Sequence, residues 1–269
     1  MSSHSNATKR LTVPEFSAMK QKGERIAMLT AYDFSMASLV DQAGIDGILV
    51  GDSMSMVVQG HDSTLPVTLD EMIYHANMVG RAVQRALVVV DMPFPSNYLG
   101  VHRAIENAGN ILKRSQAQAV KLEGGADQSS VIAGLVAAGI PVMAHVGLRP
   151  QSVHQLGGYR VQRDAEQLME DAVAAENAGA FSVVLECIPD AVATEISAKL
   201  RIPTIGIGAG PHCDGQILVF HDLLGLTPGK LPKHVKKYAE LGETIRNAVA
   251  AYCEDVKQRQ FPGPENSFQ

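Results

Sequence analysis

Short β-branched runs alternate along the chain with longer stretches of helical period. The runs begin near Ile26 (IAMLTA), Asp46 (DGILVG), Leu87 (LVVVD), Ala119 (AVKLE), Pro141 (PVMAH), Phe181 (FSVVLE), Pro203 (PTIGIG) and Gln216 (QILVF). Most are continuously apolar, the pattern of parallel strands buried on both faces. The intervening segments carry helix punctuation. Thr68 and Glu71 form a capping-box pattern ahead of Met72, Ile73, Ala76 and Val79. Asp33, Asp127 and Asp164 stand where N-caps belong, and Gly44, Gly139 and Gly179 where helices end. Pro189 suits a first helical position. Val235, Tyr238, Leu241, Ile245, Ala248 and Tyr252 recur at helical spacing and predict a long last helix. Only the connection Ala209 to Gly215 is too short for a helix.

Eight strand–helix units in this length predict a (β/α)8 TIM barrel, which typically needs ~250 residues. The whole chain, 1–269, reads as one such domain, with Met1 to Arg10 as a loose N-terminal extension. A doubly wound open sheet is the rival, and the polar positions decide between them. Asp52, Asp91, Lys121 with Glu123, His145 and Glu186 fall at or just past the ends of strands two to six. An open sheet gathers only two or three strand ends at its switch point, whereas a barrel brings all of them around one mouth.

Composition narrows the function. Apolar residues make up 46% and charged residues 19%, the balance of a chain with a sizeable core. The net charge of −5 comes without a basic stripe, which argues against nucleic acid. No apolar run nears the roughly 20 residues that span a bilayer, and the polar start lacks the apolar stretch of a signal peptide. Cys187, Cys213 and Cys253 form no C-x-x-C pair. A reducing, cytoplasmic setting is expected, with no membrane partner.

The strand ends suggest chemistry. Asp52 follows GILVG and Asp91 follows LVVV, so the two carboxylates are placed to converge. Oxygen ligands of this kind suit magnesium; the plainer reading is that each Asp caps the next turn. Lys121 and Glu123, two apart on one strand, share a face that has to be the mouth. They read as a buried ion pair, as an ammonium for a substrate carboxylate beside an acid that orients metal water, or as a Schiff-base lysine and neighbour. Carboxylates on strands two and three weigh against the Schiff base. Glu186, after four apolar residues, is the candidate general base, against the plainer reading of an acid satisfied by backbone N–H groups. His145 is either a structural hydrogen-bonder or adjacent to substrate. The run Gly206 to Gly210 reads as a tight turn near ligand rather than a dinucleotide loop. The remaining histidines show no metal-ligand spacing, and the eleven methionines look like core filler.

Six segments in order carry a resemblance. GDSMSMVVQGHDSTLPVTLDEM (from Gly51), DMPF (from Asp91), VKLEGG (from Val120), HVGLRPQSVHQLGGYRVQ (from His145), LECIP (from Leu185) and IGIGAG (from Ile205) resemble the ketopantoate hydroxymethyltransferase family, from about Thr30 to Phe268. The resemblance implies a magnesium enzyme on a phosphoenolpyruvate/pyruvate-type barrel, assembled as a homo-oligomer, usually a decamer. It implies transfer of a one-carbon unit from 5,10-methylenetetrahydrofolate to 3-methyl-2-oxobutanoate, giving 2-dehydropantoate in the first committed step of pantothenate and coenzyme A synthesis. Position by position, it implies Asp52, Asp91 and Glu123 as metal ligands and Glu186 as proton acceptor. Substrate contacts fall on Asp52, Ser53, Asp91 and Lys121, with His145 alongside. Met54, Ser55, Ala144 and Arg149 depart from the family's usual Leu, Gly, Gly and Thr; Ser55 would resist a positive φ if its loop required one. The rival readings are a related magnesium-dependent 2-oxo-acid lyase, which typically relies on a loop cysteine, and a catalytically inactive binding homologue. No ligand is missing here, which weighs against the second.

Overall fold

The computed structural model describes residues 9–268. Eight parallel strands close into a barrel in sequence order: β1 Ile26–Thr30, β2 Gly47–Val50, β3 Leu87–Asp91, β4 Ala119–Glu123, β5 Val142–Gly147, β6 Ser182–Glu186, β7 Thr204–Ile207 and β8 Gly215–Leu218. β8 pairs back onto β1 through Ile26↔Gly215 to Leu29↔Leu218, which leaves no sheet edge. Each strand starts within a residue of its expected position, because a continuous apolar run bounded by turn residues has little freedom at its ends. The helices are α1 Val13–Lys22, α2 Phe34–Gln42, α3 Met54–Val57, α4 Leu69–Ala82, α5 Val101–Arg114, α6 Ser129–Ala137, α7 Val153–Leu156, α8 Ala165–Asn177, α9 Asp190–Lys199, α10 Phe220–Leu223 and α11 Leu241–Lys257. The chain forms two compact units, Met1–Val219 with the barrel and Phe220–Gln269 with α10 and α11. No helix among the described residues is long and apolar enough to cross a membrane.

Strand parity separates packing from chemistry. Side chains two apart on a strand share a face. Leu87 and Val89 therefore enter the barrel below Asp91, and Ala119 enters below Lys121 and Glu123. Met143 likewise precedes His145, and Val184 precedes Glu186. The lower layers form one buried cluster with Ile26, Met28, Leu49, Ile205 and Ile217. Phe16 and Met19 of α1 join that cluster at the end where the strands begin, and Phe16 meets Phe181 edge-on at 5.8 Å. α1 thus plugs the bottom of the barrel. Its start is set by a capping box in which Thr12 and Glu15 satisfy each other's backbone N–H.

Most of the expected punctuation is present. Asp33 and Asp164 accept from Met36 and Gln167 N–H, and Thr68 and Glu71 make their reciprocal box. Gly44, Gly139 and Gly179 end their helices with φ of 94°, 81° and 95°. Three expectations need correction. Asp127 does not cap a helix; it lies in a 3-10 turn, accepts from the Gly125 N–H at 3.0 Å and pairs with Arg149 at 2.8 Å. Pro189 is the N-cap of α9, one residue before the first helical position. The last helix starts at Leu241, so Val235 and Tyr238 precede it. The Tyr238 N–H donates to the Leu223 carbonyl and the Leu241 N–H to that of Leu224, which holds the chain between them out of the helix. Of the ten residues expected to be loose, 1–8 lie outside the described residues. Arg10 donates to the carbonyls of Gln116, Gly80 and Val83.

A buried carboxylate anchors the loop into β3. Asp41 of α2 accepts from the N–H groups of Gln84, at 2.8 Å, of Arg85, and of Ala86, at 2.8 Å. Truncating it orphans the buried Ala86 N–H and removes a charged acceptor from the other two donors. Asp41→Ala is expected to lower unfolding free energy by about 3 kcal/mol, since bonds to a charged group are worth about 1.5–3 kcal/mol. Urea titration checks this; an unchanged midpoint would show that the loop finds other acceptors.

Candidate active site

The upper layer of the barrel gathers ionisable groups from five consecutive strand ends. Register sets Asp91 opposite Lys121 and Glu123 opposite His145. The Lys121 ammonium sits 3.1 Å from Asp91 Oδ1 and 3.1 Å from His145 Nδ1. An ammonium has only donors, so Nδ1 accepts and the imidazole proton resides on Nε2. That Nε2 lies 3.1 Å from Glu186 Oε2, a contact better in length than in alignment. A line of contacts thus runs Asp91–Lys121–His145–Glu186 across the mouth. Asp91 Oδ2 accepts from the Asp52 N–H at 2.9 Å, which carries the line to the loop after β2. Gly51 leaves room for the Ser53 hydroxyl, because a Cβ there would stand 2.9 Å from Ser53 Oγ. Ser53 is held by Tyr32, hydroxyl to hydroxyl at 2.9 Å.

Burial controls the charges. Asp52, Asp91, Glu123, Lys121 and His145 are all buried, while Glu186 retains some exposure. Burial, then the Asp91 charge, push the Asp52 carboxyl up to about 7, against the Lys121 charge and a hydrogen bond from Gln151. Burial, then Asp52, raise Glu123 well above the carboxylate range. Burial alone would lower Lys121, but the charges of Asp91, Asp52 and Glu123 outweigh it and hold the ammonium above its ordinary value. Burial and then Lys121 lower His145, consistent with the neutral tautomer the hydrogen bonds require. A lysine held protonated is a poor amine nucleophile, which weighs against the Schiff-base reading.

All of the expected site residues meet at this mouth: Asp52, Ser53, Asp91, Lys121, Glu123, His145 and Glu186. Ser55 lies within α3, so its loop asks for no positive φ. Ala144 is fully buried in β5, and Arg149 pairs with Asp127. The Gly206 to Gly210 turn packs against protein, since a Cβ on Gly210 would fall 2.1 Å from Asp190 Oδ1. Cys187 has a φ of 48°, and burial pushes its thiol up to about 11. Such a thiol does not supply the reactive cysteine of the lyase reading.

One residue escaped the sequence reading. Gln151 donates from Nε2 to Asp52 Oδ2 at 2.7 Å and to the Met92 carbonyl at 3.0 Å, and its own N–H donates to Glu123 Oε2 at 3.0 Å. Its only sequence signal is a polar residue after Pro150, just past a strand end. No periodicity shows that its amide turns inward.

The donor set suits a hard divalent cation. Three buried carboxylates face one ammonium in a mouth that offers oxygen ligands. Among the described residues no three His, Cys, Asp or Glu groups are spaced to enclose a metal by themselves. Magnesium has no such need, since it keeps several waters and takes one or two carboxylates.

The fold recurs in solved structures. 2,3-Dimethylmalate lyase, a PEP mutase/isocitrate lyase superfamily member, superposes with a TM-score of 0.62 at 19% identity, over 96% of this chain and 89% of that one. Phosphonopyruvate hydrolase, solved with oxalate and Mg++, gives 0.60 at 14% identity over 95% and 93%. The architecture is therefore a (β/α)8 barrel. Sequence likeness is much closer elsewhere. The profile described as ketopantoate hydroxymethyltransferase matches residues 10–264. The 3-methyl-2-oxobutanoate hydroxymethyltransferase of Rhodopirellula baltica is 54% identical over 97% of each chain. That of Desulforapulum autotrophicum is 56% identical over 96% of this chain and 98% of its own. The chain belongs to the ketopantoate hydroxymethyltransferase family.

Lys121 carries the charge balance of the mouth. Lys121→Met leaves the buried acids without their cation, and removing one partner of a buried pair typically costs about 3–5 kcal/mol. The variant is expected to lose stability on that scale in chelator and to recover part of it when magnesium is added. Thermal unfolding in both buffers checks this, and an unchanged melting temperature in chelator would deny Lys121 that role.

Proposed function

We propose that this mouth transfers a hydroxymethyl group to C3 of 3-methyl-2-oxobutanoate, with 5,10-methylenetetrahydrofolate as donor and 2-dehydropantoate as product, in the first committed step of pantothenate and coenzyme A synthesis. The observation that carries the reading is the line Asp91–Lys121–His145–Glu186, which places the Glu186 carboxylate across the mouth from an ammonium and a second acid. Relatives more than half identical, named for this substrate and group, support it. In this reading Asp52 and Asp91 hold magnesium, with Glu123 completing the acid set. A bound magnesium supplies Lewis acidity to the carboxylate and keto oxygens of the 2-oxo acid, worth several kcal/mol as charge develops.

This chain's own groups supply the rest. Lys121 holds the substrate carboxylate, with Ser53 and His145 beside it. Glu186 takes the proton from C3, and the C–H electron pair passes into the enolate. His145 Nε2 faces Glu186 Oε2 at 3.1 Å, which places the imidazole beside the base and leaves Oε1 to accept. The nucleophilic carbon then bonds to the methylene carbon of the donor, opened to an iminium by loss of one C–N bond, and the π pair returns to nitrogen. Water forms the C–O bond as the remaining C–N bond breaks, and its proton passes to the nitrogen of the released tetrahydrofolate. The full chain acts as one functional domain in the cytoplasm, where its free cysteines remain reduced.

The test combines product formation with proton exchange. Chelation is expected to abolish turnover and magnesium to restore it. Glu186→Gln keeps size and hydrogen bonding but accepts no proton, so turnover should fall by roughly 10²–10⁴. Binding of the 2-oxo acid should change little. Exchange of the C3 hydrogen with solvent deuterium, followed by NMR without folate, isolates the step. Exchange as fast as in the parent would make Glu186 a structural acid.

The assembly reading is a homo-oligomer, decameric by family. α11 has no buried residue and exposes Ile245, Val249, Tyr252 and Val256 at helical spacing. A stripe of this kind is covered more often than left in water. Light scattering at micromolar concentration is expected to give a multiple of the 28.7 kDa chain mass; a monomer would refute it.

A further inference from the structure

We infer that Gln151 is the positioning residue that sets the Asp52 and Glu123 carboxylates for a divalent cation. This rests on the magnesium reading above and adds to it a group that touches neither the metal nor the reacting carbon.

The geometry is specific. Gln151 lies in a short 3-10 turn after β5 and is buried. Its side chain grips the loop after β2 through Asp52 Oδ2 at 2.7 Å and the loop after β3 through the Met92 carbonyl at 3.0 Å. Its backbone N–H grips the end of β4 through Glu123 Oε2 at 3.0 Å. One residue therefore ties three neighbouring strand ends. Both partners of Nε2 are acceptors, so the amide cannot be flipped without facing oxygen to oxygen. The orientation is forced, and it leaves Oε1 buried with no hydrogen-bond partner.

That orphan acceptor points to a donor brought by a ligand, because a buried amide oxygen left unpaired costs about 1–3 kcal/mol. The 2-oxo acid offers only acceptors, its carboxylate and keto oxygens. The donor therefore comes from another ligand, and a hydrated cation held by Asp52 and Glu123, the two acids Gln151 itself binds, supplies one as water. Groups that orient metal-binding carboxylates in this manner usually matter by 10- to 100-fold in affinity.

Gln151→Met keeps the volume and removes both donors and the acceptor. Manganese alone serves as probe, titrated into the substrate-free protein and read by the free-ion EPR signal. The parent is expected to bind Mn²⁺, and Gln151→Met to bind it about 10- to 100-fold more weakly with an unchanged circular-dichroism spectrum. In turnover, kcat should fall and saturation with magnesium should need correspondingly more metal. A merely structural glutamine would lower stability and leave the affinity of the folded protein unmoved. Equal Mn²⁺ affinity in parent and variant overturns the proposal. A parent that binds no Mn²⁺ instead overturns the metal reading on which it rests. Should Gln151→Met fail to fold, Gln151→Asn, too short to span the same contacts, is titrated in its place. Failure of both to fold would assign Gln151 to the framework and refute the positioning role.

Discussion

The buried contact between Lys121 and Asp91 organises the site. It joins adjacent strands at one register step, and each partner reaches onward, Lys121 to His145 and Asp91 to the Asp52 N–H. Taking two charges out of water is costly, and a well-packed apolar pair often serves stability as well or better. Such a pair is therefore hard to account for by folding alone. What it accomplishes is electrostatic: it keeps an ammonium charged, offsets part of the repulsion between carboxylates, and sets which nitrogen of His145 carries the proton.

The barrel tolerates this because parity confines the charge to one layer. Leu87, Val89, Ala119, Met143 and Val184 fill the interior below it, and α1 seals the far end with Phe16 and Met19. Closure pairs every strand on both sides, so the backbone is satisfied and the mouth's groups sit on rigid elements. The loops supply what strands cannot. Asp52 and Gln151 approach from outside the sheet, and their mutual hydrogen bond at 2.7 Å connects the loop after β2 to the turn after β5.

Lys121 and His145 also divide two tasks that a 2-oxo acid would impose. Anion binding asks for permanent positive charge, which the surrounding acids maintain on the lysine. Proton abstraction asks for a carboxylate held in place without a competing full charge beside it. A neutral imidazole whose Nε2 faces the carboxylate at 3.1 Å meets that need, and burial, then the adjacent ammonium, keep the imidazole neutral. The two roles are coupled through the 3.1 Å contact between them.

Much of this was legible in the residues themselves. Apolar runs marked the strands because buried parallel strands admit little else, and the positions of Asp91, Lys121, Glu123, His145 and Glu186 at run ends pointed to a shared mouth. Thr68 with Glu71, and Asp33, announced their caps because capping is local chemistry. Asp127 misled because its side chain had a nearer N–H and a distant arginine to choose from, and the last helix began late because carbonyls of another segment captured its backbone donors. Gln151 was invisible for the same reason: its partners lie 99, 59 and 28 positions away. Local pattern thus determined the elements and the identity of the charged groups. Which nitrogen of His145 holds a proton, which oxygen of Asp52 is taken, and which amide orients the acids were decided only by tertiary structure, since hydrogen bonds between distant segments leave no period in the chain.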